Sequence, residues 1–151
     1  MKNIYFLITK WTGYLLAFIG IFFAFNKINT NVPIAIEKLV KIGIIPLTLC
    51  AFLWHTVFAG NIIHSKNHFF ENEAGGANLA FGLVLIISYI FNFNLDAVLS
   101  ILMCFSIYIF IAGLCKLKYS TLNSSILSFI LSITILYFVY KGFVYQKIDL
   151  N

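Results

Sequence analysis

Apolar residues run along this chain in five long blocks separated by short polar breaks. The blocks cover about 4–25, 42–63, 77–93, 97–115 and 122–140. Each is close to the roughly 20 residues that a helix needs to cross the hydrocarbon of a bilayer. The pattern predicts an all-α fold, a bundle of five transmembrane helices in a single domain over residues 1–151. A four-span reading would require blocks three and four, joined by only a few residues, to be something other than a helical hairpin. In the first block Gly13, Ala17, Gly20 and Ala24 are spaced 4, 3 and 4, which puts four small residues on one helix stripe. In lipid such stripes drive packing, because close backbone approach replaces the missing hydrophobic force. Thr121, Ser125, Ser128 and Ser132 repeat that spacing in the last block with small hydroxyl residues and read as a second packing stripe.

The breaks carry helix signals. Asn31 and Pro33 fit an N-cap and a first-turn proline. Glu37, Lys38 and Lys41 then fall in the first turns of the second helix, at the membrane interface, and Pro46 should bend that helix. Residues His64 to Gly76 are the most polar stretch and read as a loop. Asn92, Asn94 and Asp96 form a tight turn with Asp96 as the expected N-cap. The amino-terminal run starts as a secretory signal would. Lys10 interrupts it, however, it continues to Phe25 and no small-x-small site follows, so it reads as a retained span. Five spans would put the termini on opposite sides. Lys2, Lys10, Lys66, Lys116 and Lys118 then face Lys27, Lys38, Lys41, Lys141 and Lys147 across the bilayer, and positive charge gives no orientation.

Composition agrees with the pattern. The chain is 62% hydrophobic, 18% aromatic and 10% charged, against about a quarter charged in soluble domains. That excludes a soluble domain and a disordered tail. The net charge is +5, yet the ten lysines are scattered, arginine is absent and no basic stripe exists, so nucleic acid is excluded as a partner. The expected partners are the bilayer itself and either further copies or a larger membrane complex. Cys50, Cys104 and Cys115 lie within or at the end of apolar runs without a CxxC pair, and read as small core residues.

Ionisable groups concentrate in the 64–76 stretch and its flanks. His64, His68 and Glu71 are spaced 4 and 3, and on a helix would offer two imidazoles and a carboxylate to a metal. Ser65, Lys66 and Asn67 argue for a loop instead, and the lysine opposes a cation. His55 lies within a span, where a histidine can ligate haem. Bis-histidine ligation would need a second buried histidine at matched depth, and His64 and His68 lie at or beyond the membrane edge. No cofactor is therefore expected. The third reading is a buried polar group. Antiparallel neighbours would bring His55 near Asn78 and Gly82, with Glu73 drawn in from the loop. Ionisable groups at that depth are costly and face the interior or a cavity, so the cluster is either a functional cavity or a set of hydrogen bonds across helices that locks the bundle.

The motif Phe70-x-x-Glu73-x-Gly75-x-Ala77-Asn78-Leu79-x-x-Gly82 resembles the helix-start signature of a family of small bacterial multi-pass membrane proteins of uncharacterised function. A histidine in the preceding helix of that family looks similar to His55. The likeness covers about 30 residues, Trp54 to Leu83. His68 and Phe69 depart from it where the family has a Ser-Pro-like turn, and Glu71 replaces a glutamine-like position. The resemblance implies a bacterial inner-membrane location and favours Glu73, Asn78 and Gly82, with His55, as site residues; it implies no reaction. Three functions compete: a bundle that binds or passes a small solute, ion or proton, an accessory subunit of a larger complex, and a membrane redox or metal enzyme. No nucleophile–base pair or cofactor motif supports the third.

Overall fold

The structure, a computed structural model, describes residues 2–58, 68–119 and 122–149. Among these the chain is all helical. Helix α1 is Lys2–Phe25 and α2 occupies residues 32–58. Helices α3, α4 and α5 are His68–Ile90, Leu95–Tyr119 and Leu122–Asp149. Stretches at Leu7–Phe25, Asn72–Ile90, Leu95–Leu117 and Ser125–Ile148 are each long and apolar enough to cross a membrane. Helix α2 runs on without a break and has no Asp, Glu, Lys or Arg between Ile42 and Phe58. The chain is an integral membrane protein built as a helical bundle.

Helix ends follow from local chemistry. The Asn31 carboxamide accepts from the Ile34 N–H at 3.0 Å and caps α2, with Pro33 in its first turn. Pro46 has no N–H to give, and its ring crowds the preceding turn. The turn just before it is π-helical over Leu39–Ile44, and the Ile45 N–H reaches back five residues to the Val40 carbonyl. A second π-helical turn, Leu53–Phe58, is the last part of α2 among the described residues. Helix α3 ends in a Schellman motif. Asn92 takes the left-handed conformation at φ 52°, Phe93 N–H donates to the Ser88 carbonyl at 2.8 Å and Asn92 N–H to the Tyr89 carbonyl at 3.3 Å.

Two sequence expectations need correction here. The stretch expected as a loop to Gly76 is helical from His68, about two turns earlier than the block pattern suggests. Its polar residues lie at the membrane edge, where the backbone still satisfies its own hydrogen bonds by staying helical. The cap of α4 is Asn94, whose side chain accepts from the Ala97 N–H at 3.0 Å. Asp96 lies inside the first turn, where a carboxylate complements the helix dipole.

The helices pack in antiparallel ladders whose rungs are glycines. A Cβ on Gly13 would lie 2.8 Å from the Cys50 Cβ, and one on Gly20 2.5 Å from the Gly43 Cα, so α1 and α2 touch backbone to backbone. Ala17 and Ala24 on the same stripe are fully buried. Helices α2 and α3 meet through Gly75 and Gly82. Helices α4 and α5 form a second unit, with Gly113 against Phe129 and Gly142 against Leu99. Phe105, Leu99, Leu102, Ile135 and Phe138 fill its core. The two units join through α3 and α4 and through Phe25, whose ring is 4.8 Å from that of Phe138. The membrane face where α2 ends and α5 begins is called the first face below.

Candidate functional site

The π-helical end of α2 brings its polar residues against α3. A Cβ on Gly75 would stand 2.5 Å from the Thr56 Cγ2 and 3.3 Å from the His55 Cβ, so glycine at 75 lets α3 lie on this turn. Thr56 Oγ1 donates to the Phe52 carbonyl at 2.7 Å, within its own helix. The His55 ring is half-buried and lies 5.3 Å from the Trp54 ring, which in turn packs on Tyr14 of α1 at 5.6 Å. Seven residues along the ladder, Gly82 faces Thr48, whose Oγ1 would be 2.6 Å from an added Cβ. Thr48 is fully buried and donates to the Ile45 carbonyl at 2.8 Å.

Asn78 lies between these rungs on α3 and is 7% exposed. Its Nδ2 donates to the Ala74 carbonyl at 2.7 Å and to the Tyr108 hydroxyl of α4 at 3.1 Å. The Tyr108 hydroxyl donates to the same Ala74 carbonyl at 3.1 Å. A carbonyl only accepts, which fixes the amide with its nitrogen toward Ala74 and Tyr108. The capacity left on this side chain is that of an acceptor, Oδ1. The triangle ties α3 to α4 within the span, next to the Phe81, Phe105 and Tyr108 rings, whose centroids are 5.2 to 6.3 Å apart.

The site residues named from the sequence thus fall into place as follows. His55 meets Gly75, about one turn nearer the first face than Asn78. Gly82 meets Thr48. The Glu73 side chain is exposed on α3, one turn and a half from Asn78 toward the first face. His68 and Glu71 share one side of α3 by register, but their side chains, like all of His64, lie outside the described residues. Among the described residues there is no group of three or more His, Cys, Asp or Glu side chains able to hold a metal ion. Ser125, Ser128 and Ser132 are all buried on the side of α5 that faces α4. Ser132 and Ser106 exchange bonds: each Oγ donates to the other's carbonyl at 2.9 Å, with the two hydroxyls 3.0 Å apart.

Tyr108, Ala74, Thr48, Thr56 and Ser106 were not marked by the sequence reading. Tyr108 is one aromatic residue among many in an apolar run, and its partner is 30 positions away. On the outer side of the α3–α4 contact, Ala77, Ala80, Phe81, Val84, Ser100, Ile101 and Cys104 line an open cleft of about 510 Å³. At the opposite face Lys41 is ion-paired with Glu37 at 2.6 Å, and its Nζ sits 4.7 Å from the Tyr89 ring centroid. No protein-family model, curated protein or solved structure matches this chain.

Proposed function

We propose that this protein binds and passes a small solute or ion, the proton included, at a polar site formed by α2, α3 and α4 near the first face. The observation that supports this reading is Asn78. An amide buried within a span, tied to α4 through its nitrogen and with its oxygen left over as an acceptor, is costly unless that oxygen meets a partner there. His55 lies about one turn nearer the face and supplies an imidazole, which can both donate and accept a hydrogen bond. Glu73, on α3 one turn and a half nearer that face than Asn78, has an exposed side chain and is taken as the proton or cation acceptor of this reading. Gly75 and Gly82 let the helices close around the site.

The test is flux in proteoliposomes under an imposed pH gradient, followed by an internal dye. Glu73→Gln should abolish the pH-dependent component while the protein elutes and melts as the parent does. Asn78→Leu, which keeps the volume and removes the amide, should lower flux of the solute itself. Flux equal to that of empty vesicles, or unchanged in both variants, refutes the reading.

A further inference from the structure

We propose that the end of α4 and the first turn of α5 form a site for a phosphate-type anion, carried by a lipid headgroup or free in the water. Lys116, on the last turns of α4, directs Nζ at the Ser128 Oγ of α5 at 3.2 Å. An ammonium only donates, so the serine oxygen accepts and the cation is held against the face of α5 that bears the serines. Ser125 stands on that same face, one turn nearer the start of α5. It is 0% exposed, and its Oγ has no hydrogen-bond partner. Helix α5 opens at Leu122, so the first-turn N–H groups beside Ser125 lack intrahelical acceptors and carry the positive end of the helix dipole.

A cation, a donor hydroxyl and a helix start therefore converge at one level. That level is the membrane edge: the apolar stretch of α4 ends at Leu117 and that of α5 begins at Ser125. Between Asp96 and Asp149 there is no acidic residue, whereas Lys118 follows two positions after Lys116. Basic pockets between spans at headgroup depth recognise anionic lipids through this combination.

The experiment is native mass spectrometry of the full chain released from nanodiscs of phosphatidylcholine with and without phosphatidylglycerol. Retention of one phosphatidylglycerol in preference to phosphatidylcholine is expected, falling about fivefold in Lys116→Gln, the effect of one lysine near an anionic surface. Ser125→Ala should weaken retention while leaving thermal unfolding in pure phosphatidylcholine unchanged or raised, since the hydroxyl it removes has no protein partner. Inorganic phosphate then separates the sources. If millimolar phosphate displaces the lipid and raises the melting temperature in phosphatidylcholine, the site reads the free anion; if only phosphatidylglycerol binds, it reads the headgroup. Equal retention of both lipids, indifference to both substitutions, or a Ser125→Ala protein that melts lower without losing lipid overturns the proposal.

Discussion

Replacing Gly20 with alanine tests a backbone-to-backbone helix contact. The new Cβ would lie 2.5 Å from both the Cα and the N of Gly43 and 3.1 Å from the Ile42 carbonyl carbon. Carbon atoms rest at about 3.5–4.0 Å. The obstacle is backbone, so no rotamer change relieves it, and α1 must move off α2 by about 1 Å along the contact. That motion also loosens Ala17, Ala24 and the Gly13–Cys50 contact on the same stripe. Overpacking of this kind costs about 1–3 kcal/mol, and the better helix propensity of alanine returns at most about 1 kcal/mol of that. Gly76→Ala is the matched control, because a Cβ there meets nothing within 4 Å. Reversible unfolding in mixed micelles, read by far-ultraviolet circular dichroism, should show Gly20→Ala less stable by about 1–2 kcal/mol. Gly76→Ala should be equal to the parent or slightly more stable. If the two variants unfold together, the helices are not in backbone contact at Gly20 and the description of α1 against α2 fails.

Two further outcomes follow from the hydroxyl contacts. Gly82→Ala should destabilise by about 1–3 kcal/mol through the Thr48 Oγ1, and Thr48→Ala in the same chain should restore most of the loss, since the clashing oxygen goes with it; a double variant no better than Gly82→Ala refutes the pairing. Ser106→Ala and Ser132→Ala should each cost little, because the surviving hydroxyl keeps the other residue's carbonyl as acceptor, and their coupling in a double-mutant cycle should be about 0.6 kcal/mol and under about 2. A larger value would mean that the hydroxyl–hydroxyl contact, and not the two carbonyl bonds, carries the interaction.

The helical architecture was legible because lipid imposes it. With no water to satisfy backbone groups, an apolar block of this length has one available conformation. What hydropathy does not mark is where a helix starts. His68 to Gly76 reads as a loop by composition, yet α3 begins there, because polar residues at the headgroup level are compatible with helix. Asp96 and Asn94 illustrate a finer ambiguity. Both types cap helices, and only the observed bond from Ala97 to Asn94 decides between them. The π turn before Pro46 follows from the missing N–H, whereas nothing in Leu53–Phe58 marks the second π turn in advance.

The candidate site was legible only on one side. Asn78 and Gly82 stand out as polar or small residues at a helix start, but their partners, Tyr108 and Thr48, are of ordinary appearance in other spans. Which helix meets which, and in what register, is set by glycine contacts such as Gly75 on Thr56, and a glycine in a sequence does not name its neighbour. That register bears on the proposed function. Because Gly75 seats His55 and Gly82 seats Thr48, Asn78 falls between two closely packed rungs of α2 while its amide is turned toward α4 by Tyr108. The amide is thus held from outside its own helix pair. Under the proposed reading, motion of the α4–α5 unit relative to α1–α3 would strain the bonds among Asn78, Ala74 and Tyr108, and this triangle would couple occupancy of the site to the spacing of the two units.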